Sequence, residues 1–336
     1  MGKILLPGVA VGLLFVSAAC GAPPKARPNP VGSAMLWQAR QYTHIKTIHF
    51  LAVCRNAATT LKGKKSTATQ RYEYWGAGVK YRIDYQQFVA GGEYDVVVTD
   101  NGKHFRMFDR LADILTIGPT HPIHGDLPVI QNPILEPLIP LTPYFPDFHT
   151  PHVQWVNLAR FARNPKSIFD RCGKVVPCGR AGLHGRLQGC ILGSVYYNPA
   201  HVRFILGAGM PHPLVTGWMA NEFRYPGTYL RLRRIKYRAF RLPSGRMLFL
   251  PVAYSEEGVS KNVPLPVAGP FTNTMVISHI SLDKPIPAGT FTINYKLARF
   301  IHEVMPNGKI HYMTVRSFTP APGHDWRLNK SDSTAH

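Results

Sequence analysis

Hydrophobic and polar residues alternate along two segments in the first third of the chain. RYEYW, which begins at Arg71, and KYRIDY, which begins at Lys80, each alternate a charged residue with an apolar or aromatic one. A period of two places the two sets on opposite faces of a β-strand, so we predict antiparallel strands with one apolar and one solvent-facing side. The apolar positions are Tyr72, Tyr74, Tyr81, Ile83 and Tyr85.

Turn-forming residues separate the alternating segments. Asn101-Gly102 interrupts YDVVVTDNGKHFRMFDR and predicts a tight hairpin turn, because both residue types tolerate positive φ. A further turn and strand are predicted between Asp109 and Ile117. Pro243-Ser244-Gly245 and Pro306-Asn307-Gly308 predict two more turns among the later strands.

The alternation returns in the second half of the chain. Leu230 and Leu232 alternate with arginines, and a slip in the pattern at Arg234 predicts a β-bulge. The segment FTINY alternates again and predicts a strand with Phe291 and Ile293 on one side.

Helical patterns are few and short. A helix is predicted from an N-cap at Ser33, followed by a strand that starts near Lys46. HVQWVNLARFARN and YKLARFIHEVM each predict a further short helix. The first helix has apolar residues at spacings of three and four, which predict one packing face: Met35, Leu36, Ala39 and Tyr42.

A proline-rich segment divides the two groups of strands. Residues 118–148 contain eight prolines in 31 residues. Proline removes a ladder donor and fixes φ, so a regular central strand is excluded here. We interpret the segment as an extended apolar loop that covers an exposed face of the sheet.

The N-terminus has the pattern of an export signal. Residues 4–19 carry no charge, follow Lys3, and end in small residues before Cys20. The stretch is short for a permanent membrane span, which needs about 20 apolar residues. Two processing routes remain open: lipoprotein maturation, in which Cys20 is lipid-modified, and ordinary cleavage near Ala19 or Ala22. A proline-rich linker, residues 20–32, follows and suits a tethered domain.

The chain is strongly basic. It has 39 Lys and Arg against 18 Asp and Glu, a net charge of +21. For an exported protein the matching partners are anionic membrane surfaces, envelope polymers and envelope partner proteins, and we expect no nucleic acid partner. We select Arg231, Arg233 and Arg234 as a candidate basic rim. The alternative is that the positive charge is a general adaptation of the source organism's envelope proteins and serves no specific ligand.

Four cysteines remain once Cys20 is set aside: Cys54, Cys172, Cys178 and Cys190. An even number in an exported chain favours disulfide bonds, whose pairing the sequence leaves open. Cys172, Cys178, His184 and Cys190 fall at intervals of six, a zinc-compatible set. Short C-x2-C pairs are absent, and we therefore prefer disulfides or thiols to zinc.

No enzyme signature is present. The chain lacks H-E-x-x-H, G-x-S-x-G and the glycine loops that bind phosphates or dinucleotides. His121, His124 and Asp126 lie close together, but the surrounding prolines indicate an ordinary surface loop. We expect no cofactor, no metal and no catalysis.

The strand pattern resembles the LolA/LolB-like family of periplasmic lipoprotein carriers and receptors. Val98, Asp100, Gly102, Lys103 and Asp109 occupy places comparable to that family's V-x-D-G-K-x-x-x-x-x-D segment, with Asn101 as an extra residue. ISLDKPIPAGTFTINYKLARFIHE is similar to the late strand of these proteins. The resemblance covers residues 33–117 and 228–317, and the stretch between them, 118–227, has no counterpart.

The resemblance implies a mainly β fold: an incomplete, strongly curved antiparallel β-barrel covered by short helices and the proline-rich loop. It also implies a half-barrel cavity for lipid or lipoprotein acyl chains in transport or sensing. We expect a single domain over residues 33–318, with an insertion at 118–227 and a flexible tail, 319–336. The cavity candidates are Tyr72, Tyr74, Tyr81, Ile83, Tyr85, Leu230, Leu232, Phe291 and Ile293.

The expected location is the periplasm, with an anchor at Cys20, or secretion as the alternative. The sequence also allows two other functions. One is a structural or adaptor protein whose barrel is filled by its own side chains, and the other is a hydrolase with an unrecognised site.

Lipidation at Cys20 makes a direct prediction. Cells that express the chain and are fed a fatty-acid analogue should label the wild-type protein, and Cys20→Ser should abolish the label because the acceptor thiol is gone. An unlabelled wild-type protein of signal-cleaved mass would establish ordinary cleavage instead.

Overall fold

The computed structural model describes residues 30–60, 62–89, 92–119, 133–134, 163, 186–192, 200–206, 214–222, 229–260, 269–305 and 309–318. They form one α-helix, fourteen strands and two short 3-10 helices, Tyr295–Leu297 and Val315–Ser317. The helix and strands are α1 Pro30–Tyr42, β1 Thr47–Thr59, β2 Lys65–Ala77, β3 Lys80–Val89, β4 Gly92–Asp100, β5 His104–Asp109, β6 Ile114–Pro119, β7 Arg186–Leu192, β8 Ala200–Leu206, β9 Val215–Glu222, β10 Tyr229–Arg241, β11 Met247–Ser260, β12 Gly269–Leu282, β13 Phe300–Val304 and β14 Ile310–Thr314.

All the strands belong to one sheet with the order β14-β13-β6-β5-β4-β3-β2-β1-β12-β11-β10-β9-β8-β7. Neighbouring strands are antiparallel, except that β13 runs parallel to β6. β7 and β14 are the two ends of this order, so within the described residues the sheet is open. The prediction of a mainly β, incomplete barrel is therefore confirmed.

The sheet curves around α1. Residues on one face of nine neighbouring strands, from β5 to β9, form a single buried cluster with Ala39 and Tyr42 of the helix. Nine flat strands would span about 40 Å, whereas a helix of 13 residues is about 20 Å long. Ile134, from the proline-rich segment, is 0% exposed in the same cluster. We call this concave side of the sheet the inner face.

The opposite, outer face is also covered at one side of the sheet. Val97, Phe108 and Leu115 pack there against Ile293 and Ile301, which follow β12 in the chain. β4 is therefore buried on both faces, and its consecutive residues Val96, Val97 and Val98 are all at most 4% exposed. The predicted solvent-facing side is wrong for this part of the sheet.

Charged residues on that covered outer face neutralise one another. Arg82 Nε lies 2.6 Å from Asp84 Oδ1, and Arg110 bridges Asp84 at 3.1 Å and Asp95 at 2.7 Å. Arg82 also donates to the backbone oxygen of Thr290 at 3.5 Å. Burying such charges requires pairing of this kind, and it ties the C-terminal segment to the sheet.

The predicted turns within the described residues are confirmed, while Pro306-Asn307-Gly308 lies outside them. Arg234 adopts φ 57°, and the β10–β11 register shifts next to it, as expected of the bulge. Leu242 and Arg246 close the turn around Gly245, which has φ 81°. At the β4–β5 hairpin only Gly102 has a positive φ. Asn101 stabilises the turn in another way: its side-chain oxygen accepts hydrogen bonds from the backbone amides of Lys103 and His104.

Three predictions of local structure are wrong. The helix begins at Pro30, so Ser33 is inside it rather than its N-cap. FTINY forms turns instead of a strand, and YKLARFIHEVM forms a 3-10 turn followed by β13 instead of a helix. The predicted helix in HVQWVNLARFARN lies outside the described residues except for Arg163.

The close approach of β12 to β1 predicts an intolerant glycine. A Cβ at Gly269 would lie 1.9 Å from the Thr59 backbone oxygen, and its φ is +146°. Gly269→Ala should therefore lower the free energy of unfolding by more than about 2 kcal/mol in urea titrations. Gly92→Ala is the control, because a Cβ there meets nothing within 4 Å. Equal effects of the two changes would contradict the strand packing.

Candidate functional site

The end of the inner face nearest α1 is filled by the protein itself. Phe50, Ile83 and Leu250 are at most 1% exposed, and they belong to the same cluster as Ala39 and Tyr42 of the helix. This zone is thus a packed core rather than an open surface.

A hydrogen-bond network fixes α1 inside the sheet. Gln38 Nε2 donates to the hydroxyls of Tyr42 at 3.0 Å and Tyr237 at 2.9 Å. Tyr237 in turn donates to the backbone oxygen of Val215 at 2.7 Å. Burial raises the pKa of both tyrosines, so each stays a neutral hydroxyl that can donate. The helix is therefore held by directional contacts as well as by apolar packing.

The other end of the inner face carries polar side chains on five adjacent strands, β11, β12, β1, β2 and β3. Strand pairing places Glu256 opposite Asn273, Asn273 opposite Asn56, and Gln70 opposite Gln87. All five side chains are half-buried. We call Glu256, Asn273, Asn56, Gln70 and Gln87 the polar belt.

Hydrogen bonds connect the belt at its β2–β3 side. Gln70 Nε2 donates to Gln87 Oε1 at 3.5 Å, and Tyr72 donates its hydroxyl to Gln70 Oε1 at 2.5 Å. The Tyr85 hydroxyl donates to Gln87 Oε1. Two of the predicted cavity tyrosines therefore point their hydroxyls toward the belt while their rings stay in the apolar cluster.

Similar contacts occur at the β11–β1 side. Asn273 Nδ2 donates to Glu256 Oε2 at 2.7 Å, and Cys54 Sγ donates to Asn56 Oδ1 at 2.8 Å. Burial raises the pKa of the Glu256 carboxyl, and the hydrogen bond from Asn273 partly offsets that rise.

The inner face of strands β11, β12, β1, β2, β3 and β4 carries no Lys or Arg side chain. β11, β12 and β4 contain no Lys or Arg at all. The basic residues of β1 to β3 all alternate with inner-face positions and so belong to the outer face: Arg55, Lys65, Arg71, Lys80 and Arg82. In a chain of net charge +21 this separation of charge is pronounced.

The structure places seven of the nine predicted cavity residues on the inner face. Leu230 is half-buried, and the other six are at most 8% exposed: Tyr72, Tyr74, Tyr81, Ile83, Tyr85 and Leu232. The other two were placed wrongly. Ile293 packs in the outer-face cluster, and Phe291 lies in the turn before it, because this segment crosses the outer side of the sheet.

The predicted basic rim is not one surface. Arg231 and Arg233 both contact the Glu257 carboxylate, Arg231 at 3.4 Å, on the outer face. Of the three arginines, only Arg234, at the bulge, is exposed, and the other two are half-buried. Glu257 thus neutralises much of the charge that the sequence assigned to this rim.

The remaining site predictions have separate outcomes. Cys54 is a buried thiol that donates to Asn56 Oδ1. Cys20, Cys172, Cys178, the Cys190 side chain and the loop of His121, His124 and Asp126 lie outside the described residues. Within the part of the chain that the structure describes, no three His, Cys, Asp or Glu side chains form a metal-binding group. That part also holds no helix long and apolar enough to cross a bilayer.

Sequence reasoning missed the belt, although its signal was present. Gln70 precedes Tyr72 by two positions, Gln87 follows Tyr85 by two, and Asn56 continues the inner-face series of β1. Period two therefore already assigned these polar residues to the apolar face. Along β1, β2 and β3 the inner-face positions change from apolar to polar residues, and the sequence prediction used only the apolar ones.

No family model matches the chain, and no curated protein matches it. Among solved structures it is similar to a LolA superfamily protein from Nitrosomonas europaea, with 13% identity, 79% of this chain and 98% of that chain covered, and a TM-score of 0.33. A DUF1329 family protein from Desulfovibrio piger shows 9% identity, coverage of 78% and 97%, and a TM-score of 0.36.

A third structure is a domain ascribed to outer membrane lipoprotein sorting in Vibrio parahaemolyticus, with 7% identity, coverage of 77% and 97%, and a TM-score of 0.35.

Asp100, on the inner face beside Tyr81, generates a pH prediction. Burial raises the pKa of its carboxyl to about 6, against the lowering effects of the Gly102 amide and Arg106. A raised folded-state pKa means that the folded protein holds this proton longer, so stability falls as pH rises from about 4 to about 6. The midpoint of thermal unfolding should therefore fall between about pH 4 and about pH 6, and Asp100→Asn should remove this contribution to the fall. An unchanged profile would contradict the desolvation of Asp100.

Proposed function

We propose that the protein is an exported envelope protein, anchored through Cys20, that binds lipid or lipoprotein acyl chains against the inner face of its half-barrel. It acts in transport or sensing and performs no covalent chemistry. The observation that carries the proposal is the curved inner face: a broad apolar surface, without Lys or Arg on β11, β12, β1, β2, β3 and β4, and partly occupied by α1 and by Ile134.

One contact on this face comes from outside the sheet and α1. Ile134 belongs to the proline-rich segment, and its side chain is fully buried against the inner-face cluster. An acyl chain that takes the place of this contact would bury its own methylenes in exchange. Each buried CH2 is worth about 0.8 kcal/mol, so a chain of ordinary length offsets the loss of one isoleucine side chain.

The basic surface supports a membrane-facing role. Arg234, Lys236, Arg238, Arg241 and Arg246 are all exposed on β10 and the turn after it. Cations near an anionic bilayer contribute about 1 kcal/mol each. An anchored protein with this surface would stay close to anionic lipid, and envelope partner proteins are further candidates for it. An anchor at Cys20 places the protein in the periplasm, and a secreted form is the alternative.

A second candidate function is a structural or adaptor protein of the envelope. The zone around α1 favours it, because Ala39, Tyr42 and Phe50 show that the chain fills this part of the half-barrel with its own side chains. The two functions differ in whether a lipid enters at all.

Substitution of Leu230 tests the acyl-chain proposal. Leu230 is half-buried on the inner face, so Leu230→Asp adds a charge to the surface that would hold the lipid and should leave folding intact. We expect the affinity for an uncharged fluorescent diacylglycerol analogue to fall at least about tenfold, measured by titration of the Cys20→Ser chain without detergent. Val276→Asp is the control, since Val276 is 51% exposed on the outer face of β12.

Three outcomes separate the functions. A selective loss in Leu230→Asp supports the lipid-binding face. Equal losses in both variants, or no binding by the unsubstituted chain, contradict it. In the latter case the adaptor function becomes the better account.

A further inference from the structure

We propose that the polar belt binds the uncharged, hydroxyl-bearing head group of an amphiphile and that the same inner face excludes anionic head groups. This inference rests on the proposed function, because the acyl chain of such a ligand would occupy the adjoining apolar surface. It adds a subsite and a head-group selectivity that an apolar half-barrel alone would not have.

The first support is accessibility. The belt side chains Asn56, Gln70 and Gln87 are half-buried, whereas the apolar residues nearer α1 on the same strands, such as Phe50 and Ile83, are at most 1% exposed. The belt is therefore a part of the inner face that another molecule can reach without unpacking the core.

The second support is hydrogen-bonding capacity. Each Asn or Gln amide supplies both a donor group and an acceptor oxygen, which matches a hydroxyl that donates and accepts. Gln87 Oε1 already accepts from Gln70 and from the Tyr85 hydroxyl, so the amide oxygen is fixed in place. Side chains held in this way present their remaining groups with little loss of conformational entropy.

The third support is charge. Across β11, β12, β1, β2, β3 and β4 the inner face has two carboxyl groups, Glu256 and Asp100, and no Lys or Arg. An anionic head group that enters would give up hydration without meeting a cation on these strands, and it would lie near the Glu256 carboxyl, which supplies no compensating positive charge in either protonation state. A neutral hydroxylated head group avoids both costs.

The outer face provides the contrast. The basic residues of β1 to β3 lie there, and so do Arg231 and Arg233 of β10. For β11, β12, β1, β2, β3 and β4, attraction of anionic lipid is thus a property of the outer face, while their inner face selects against the same charge. The outer face would hold the protein near the membrane, and the inner face would select the ligand.

Head-group selectivity can be measured with two ligands that share one acyl chain. Monomyristoylglycerol and myristate should be titrated, below their aggregation concentrations, against the uncharged fluorescent analogue bound to the Cys20→Ser chain at pH 7. We expect monomyristoylglycerol to displace the probe at a concentration at least tenfold lower than myristate. Equal or reversed potency would overturn the proposed selectivity while leaving acyl-chain binding intact.

Glu256→Gln tests the source of the selectivity. The amide keeps the size of the side chain and an acceptor for Asn273, but it removes the carboxyl. We expect the potency ratio of the two ligands to fall at least threefold, mainly because myristate improves. Glu73→Gln is the matched control, because Glu73 contacts His49 on the outer face.

The two hypotheses fail in different ways. If the fluorescent analogue does not bind at all, the proposed function fails and the belt inference with it. If the analogue binds and Glu256→Gln changes the ratio no more than Glu73→Gln does, only the assignment to the belt is overturned. Circular dichroism of each variant checks that the fold is retained.

Discussion

The structure depends on the burial of one very long apolar sheet face. Within the described residues, a helix of 13 residues and Ile134 pack against this face of a fourteen-stranded sheet. Curvature is the way in which such a face can be shielded, since bending the strands brings distant inner residues toward the same helix. The Gln38 contacts to Tyr42 and Tyr237 fix where the helix sits.

The charge distribution follows the same division between faces. An excess of basic residues keeps the outside of the sheet positive, but the inner face of the six central strands excludes them. Where acidic residues meet arginines on the outside, as Glu257 does with Arg231 and Arg233, the pairs cancel locally. Among the described residues, one group of exposed basic side chains lies on β10 and the β10–β11 turn: Arg234, Lys236, Arg238, Arg241 and Arg246.

Much of the sheet could be predicted from residue alternation, because a strand's period is set by local backbone geometry. RYEYW, KYRIDY and the bulge at Arg234 were predicted in this way. The burial of Arg82 could not be, since it depends on a C-terminal segment some 200 residues away along the chain. Misplacement of Phe291 and Ile293 has the same origin: alternation defines two faces, but it does not state what covers each one.

The central claim, that the inner face accepts a lipid guest, can be tested on a single purified sample. The Cys20→Ser chain should be isolated from an expressing cell without detergent and its intact mass determined by native mass spectrometry. The account predicts an additional mass corresponding to a lipid, which is lost on denaturation. A bare polypeptide mass in the native state, unchanged after incubation with monoacylglycerol, would contradict it.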